Sequence, residues 1–79
     1  MEIKVLGTGC AKCRELDALV REVVAAGGVA ATVEKVSDIQ EIARLGVFTT
    51  PALIVDGRIV AAGKVPSRQD IQAWIAPKG

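Results

Sequence analysis

Apolar positions along this chain switch between strict alternation and a helical stripe, and each switch marks an element boundary. Residues 2–6 alternate, with Ile3 and Val5 to one side and Lys4 to the other, as in a strand, and Leu6 continues it. Gly7 and Gly9 then break the strand, permitting a tight turn and the close approach of another backbone. Over residues 11–26, Leu16, Leu19, Val20, Val23 and Val24 fall at i, i+3, i+4, i+7 and i+8. That is one apolar helical stripe. Arg14, Glu15, Arg21 and Glu22 take the opposite face, and Gly27-Gly28 is a stop.

Residues 30–36 are β-branched and moderately polar, which predicts a strand near an edge, since Glu34 and Lys35 would be costly on a fully buried one. Ser37-Asp38 offers an N-cap that Gln40 or Glu41 can complete as a capping box. Ile39, Ile42, Ala43 and Leu45 follow as the buried side of a short helix that Gly46 ends. Residues 47–51 run extended, because the residue before Pro51 is pushed out of the helical region. Asp56-Gly57 lies between two β-branched runs, 52–55 and 58–62, and matches a type I′ hairpin turn. Gly63 closes the second strand. Ser67 with Asp70 resembles another capping box, and Ile71, Trp74 and Ile75 form the apolar face of a last helix, with Pro77 beyond its end. Phe48 and Trp74 both read as core. The order is β-α-β-α-β-β-α.

Composition narrows the class. Seventy-nine residues fit one small domain, spanning 1–79, and with 51% of them hydrophobic the chain is not of the disordered type. The net charge is +1 with acids and bases interspersed, so no basic patch argues for nucleic acid. No apolar run approaches the roughly 20 residues needed to span a bilayer, and the first residues lack the pattern of a secretory signal. The expectation is a cytoplasmic monomer with no membrane partner.

The two cysteines carry the chemistry. Cys10 and Cys13 stand at the junction of the first strand and the first helix, and a Cys-x-x-Cys there is a redox pattern. As a staple the pair is poor, because so short a loop constrains the unfolded chain least. With Cys10 at the helix cap or first turn, its sulfur meets unpaired backbone N–H groups and the positive end of the helix dipole. Lys12 adds a nearby positive charge. Such settings lower a cysteine pKa from about 8.5 toward roughly 3.5–7.5 and favour the attacking thiolate. Cys13, three residues on, should point inward. Cys10 then attacks a partner disulfide and Cys13 resolves it, with no metal, external base or cofactor required.

The chain has no histidine, which removes cysteine–histidine catalysis and a zinc site of two cysteines and two histidines. Gly7 and Gly9 do not begin a dinucleotide fingerprint, since position 12, where a third glycine would fall, is lysine.

Cys-x-x-Cys after the first strand, Thr50-Pro51 before a hairpin and Gly63 together resemble the thioredoxin superfamily. More narrowly, Gly7-Thr8-Gly9-Cys10-Ala11-Lys12-Cys13 is similar to the motif of small, glutaredoxin-sized redox-active disulfide proteins, and the resemblance spans essentially the whole chain. It implies an α/β thioredoxin-like fold, a four-stranded mixed sheet flanked by helices. It implies that Pro51 is a cis-proline facing the disulfide, that Thr50 offers backbone hydrogen bonds to an extended substrate, and that Gly9 and Gly63 border that groove. Disulfide-containing proteins would be its substrates and a flavoprotein disulfide reductase its electron donor. Gly9 stands where typical thioredoxins carry tryptophan, Ala11-Lys12 replaces Gly-Pro, no residue matches their buried acid, and the tyrosine of glutaredoxins is absent.

A rival reading is a soft-metal or metalloid module, since paired thiolates suit Cu(I). Such domains run β-α-β-β-α-β with methionine two residues before the first cysteine. Here that position is Thr8, and the last predicted element is a helix. A docking module whose dithiol senses oxidation without turnover is a third.

Overall fold

The elements of the computed structural model, which describes residues 1–28 and 30–75, follow that order: β1 (Glu2–Leu6), α1 (Ala11–Gly27), β2 (Thr32–Val36), α2 (Ile39–Arg44), β3 (Ala52–Val55), β4 (Arg58–Ala62) and α3 (Arg68–Ile75). Pro77, expected beyond the last helix, lies outside the described residues. The strands form one sheet in the order β2-β1-β3-β4. β1 pairs with β2 in parallel and with β3 antiparallel, so the sheet is mixed, and α1 supplies the crossover that a parallel pair requires.

Every residue of β3 is buried, which is why Ala52-Leu53-Ile54-Val55 reads as an unbroken apolar run rather than an alternation. Ile3, Val5, Leu53 and Val55 face α1 and α3, packing with Leu16, Val20, Val23, Ile71 and Ile75. Leu6, Ala52, Ile54 and Val36 face the other way and pack with Ile42 of α2 and with Val47. Glu34 and Lys35 are exposed on β2, the edge strand.

The hairpin turns through Asp56 and Gly57, both at positive φ (49° and 82°), as a type I′ turn demands. Beyond it β4 carries a bulge, since Leu53 pairs with Ala61 while Ile54 pairs with Ile59. The extra residue, Val60, packs on the same core as Ala61, and Ile59 is left half exposed.

Caps set the helix starts. Asp38 Oδ1 accepts the Gln40 N–H at 2.9 Å, and Ser67 Oγ accepts the Asp70 N–H at 3.1 Å. The expected buried side of α2 needs correction. Ile42 is buried and Leu45 partly so, but Ile39 is 70% exposed and Ala43 is exposed. A helix of six residues makes fewer than two turns and seats little more than one residue on the sheet. Residues 47–51 form a bent loop without strand pairing, in which Val47 is buried.

Candidate active site

Strand register gathers the site. Leu6, the last residue of β1, pairs with Ala52, the first of β3. The turn leaving β1 and the loop entering β3 therefore emerge at the same end of the sheet. Ala62 of β4 also pairs with Ala52, which brings Gly63 to that end, where its N–H donates to the Pro51 carbonyl at 2.8 Å. Three segments distant in sequence meet there.

Cys10 is the N-cap of α1, with extended backbone (φ −69°, ψ 166°). Its carbonyl accepts the Arg14 N–H at 3.0 Å, and its Sγ accepts the Cys13 backbone N–H at 3.3 Å. A sulfur thus takes the place that a serine or aspartate oxygen usually holds at a cap. Cys10 is exposed and Cys13 is 1% exposed, both as free thiols.

The Cys10 thiol is held below the ordinary cysteine value. The hydrogen bond from the Cys13 thiol contributes most and the Cys13 backbone N–H next; desolvation opposes them, and the Lys12 and Cys10 main-chain N–H groups add smaller lowering effects. No acidic residue stands in the first turn of α1 to offset this. The Lys12 side chain is exposed, and its main-chain N–H is among the groups that lower the Cys10 thiol. Among the described residues no polar or charged side chain is buried, so no fully buried acid stands behind Cys13.

The glycines of the turn serve different needs. Gly9 has φ +92°, and a Cβ added there would have no neighbouring atom within 4 Å, so its requirement is conformational. Gly7 has φ outside the left-handed region, yet a Cβ built there would fall inside the Cys13 side chain. The sequence predicts a neighbouring backbone at Gly7; the neighbour is the second cysteine. Gly63 borders the Thr49 side chain, which a Cβ would touch at 3.4 Å.

The Thr50–Pro51 peptide bond is cis, with Thr50 exposed and Pro51 buried. A groove of about 340 Å³ links Thr50 and Thr8 to Ile39, Ala43 and Phe48, over the buried Ile42 and Val47. Phe48, expected in the core, is 85% exposed on this groove. Val47 takes the inward position, and in a non-helical segment the next side chain turns outward. That alternation was the available signal. Trp74, on α3, is half-buried against the core that α1 and α3 share with the sheet, in line with its reading as core.

Among the described residues no group of three or more histidine, cysteine or acidic side chains is placed to hold a metal ion. The element order also differs from the β-α-β-β-α-β of the soft-metal modules, since α2 stands between β2 and β3. No helix among the described residues is long and apolar enough to cross a membrane.

A sequence model described as a thioredoxin domain matches residues 1–76. The chain is 38% identical over 72 residues to a thioredoxin of Methanothermobacter thermautotrophicus, covering 91% of this chain and 94% of that protein. It is 41% identical over 70 residues to a thioredoxin of Methanocaldococcus jannaschii, covering 89% and 80% respectively. A family model that matches residues 1–76, together with two relatives 38% and 41% identical over most of both chains, makes the chain a member of the thioredoxin-domain family.

Proposed function

We propose that the protein is a thiol–disulfide oxidoreductase that reduces or exchanges disulfides in partner proteins, with Cys10 attacking and Cys13 resolving. The observation that carries this reading is the asymmetry of the pair: an exposed, thiolate-favoured Cys10 on the helix cap and a buried Cys13 one turn along. The Cys10 thiolate attacks a partner cystine, and the partner's leaving sulfur departs as a thiolate. Cys13 then attacks the Cys10 sulfur of the mixed disulfide and the second partner thiol is released.

The partner strand lies along Thr50 and Pro51, beside Gly9 and Gly63, and its flanking apolar side chain covers Ile39 and Phe48. Electrons return to the pair from a flavoprotein disulfide reductase. Membership of the thioredoxin-domain family supports this reading, as does the convergence of the 7–10, 49–51 and 63 segments.

Titration of the Cys10–Cys13 pair in graded redox buffers, with alkylation and mass readout, tests it. A potential near about −270 mV makes the protein a cytosolic reductant, and one near about −120 to −180 mV an oxidant or isomerase. If no Cys10–Cys13 disulfide forms in any buffer, the reading fails. In Cys13→Ser, partners should be trapped as mixed disulfides through Cys10; trapping in Cys10→Ser instead would reverse the two roles.

A further inference from the structure

We propose that Gly7 is a positioning residue for the resolving step: the missing side chain at this position is the space in which Cys13 is held against Cys10. The inference rests on the reading of the two cysteines as an exchanging pair.

Gly7 and Cys13 are both buried, and a Cβ on Gly7 would lie 2.5 Å from the Cys13 Cβ and closer still to its Sγ. Rotating the Cys13 side chain could move the sulfur away, but it cannot move the Cβ. Either residue 7 or the first turn of α1 would have to shift. Residue 7 is tied down, since its N–H donates to the Val36 carbonyl of β2 at 2.9 Å and it follows the fully buried Leu6. The first turn of α1 has no bond to a strand of this kind; its hydrogen bonds here are those of its cap, the 3.3 Å bond from the Cys13 N–H to Cys10 Sγ and the 3.0 Å bond from the Arg14 N–H to the Cys10 carbonyl. The displacement therefore falls on the geometry between the two sulfurs. Gly7 has no need of glycine for its backbone conformation, so space is its role.

The step affected is the second one. The Cys13 thiolate forms a bond to the Cys10 sulfur while the bond between Cys10 and the partner sulfur breaks. The partner leaves with the electron pair and takes up the proton that Cys13 lost. This displacement needs the sulfurs in line, whereas the first attack needs only an exposed Cys10.

The chromogenic disulfide dithiobis(nitrobenzoate), mixed at one equivalent with the reduced protein, separates the two steps. The first nitrothiobenzoate released reports Cys10 attack and the second reports Cys13 attack. Gly7→Ala should leave the first phase nearly unchanged and slow the second by about 10- to 100-fold, the cost of a misplacement near 1 Å. An unchanged second phase overturns the proposal. A wild-type protein that releases only one equivalent overturns the exchange reading itself, and Gly7's role with it.

Thermal unfolding of Gly7→Ala, Cys13→Gly and the double variant covers the case in which Gly7→Ala folds poorly. If the collision is with the Cys13 side chain, Gly7→Ala should lower the Tm far less in the Cys13→Gly background than in the wild type. An equal loss in the two backgrounds refutes the assignment.

Discussion

Phe48→Ala tests whether the groove lined by Thr8, Thr50 and Phe48 receives a partner chain. Phe48 is 85% exposed, so truncating it removes almost no contact made within the fold. The expected change in folding free energy is within about 0.5 kcal/mol, a Tm shift of at most about 4 °C for a domain of this size. The effect on docking is much larger. A phenylalanine has about 150–250 Å² to bury, and most of it is still in water here. If a partner side chain covers half of what remains, about 25 cal/mol per Å² makes the contact worth about 2 kcal/mol. That corresponds to a fall of about 30-fold in kcat/KM.

The assay compares two substrates with dithiothreitol as reductant: insulin, whose cystines lie in a folded chain, and hydroxyethyl disulfide, too small to reach the groove. Phe48→Ala should lower kcat/KM for insulin and leave the small disulfide unaffected. Unchanged insulin turnover would refute docking on Phe48. Equal losses on both substrates would place the effect on the cysteines instead, and a large drop in Tm would contradict the exposure of the ring.

Alkylation of Cys10 followed against pH should show a midpoint below that of free cysteine, and Cys13→Ala should raise it, because the Cys13 thiol is the largest of the groups that lower it. An identical midpoint in the two proteins would remove Cys13 from that role. The same shift links to stability. A folded-state pKa lowered below the unfolded one contributes stability present above the unfolded value, lost as pH falls through the folded value. Denaturant midpoints measured across that window should rise with pH in the wild type and less so in Cys10→Ser. Leu53→Ala, at a fully buried position of β3 facing α1 and α3, should cost about 2–5 kcal/mol. Calorimetry should then show a Tm lower by at least about 8 °C, and a smaller drop would mean that the core closes over the gap.

Local chemistry determined a large part of this protein. The stripe from Leu16 to Val24 specified α1, Asp56-Gly57 specified the hairpin, and Asp38 and Ser67 specified two helix starts, because each depends on neighbours within a few residues. Glu34 and Lys35 marked the edge strand for the same reason: charge is costly wherever both faces are covered. Placing Cys10 at the cap and Cys13 inside followed from a three-residue spacing on a helix whose buried face its own apolar stripe defines.

Tertiary structure decided what depends on partners far along the chain. Only the registers of β1 with β3 and of β3 with β4 bring Gly63 and Pro51 together at the end of the sheet where Cys10 stands. Phe48 reads as core because a large aromatic near an apolar run usually is, but Val47 fills the space beneath and turns it outward. Ile39 goes the same way, for want of sheet to cover it. Gly7 is the clearest case. Its sequence says only that a side chain is missing, and what fills that space, the sulfur-bearing side chain of Cys13, is fixed by how α1 seats against the end of β1. Periodicity reports which way a residue faces, whereas steric fit depends on what arrives on the other side.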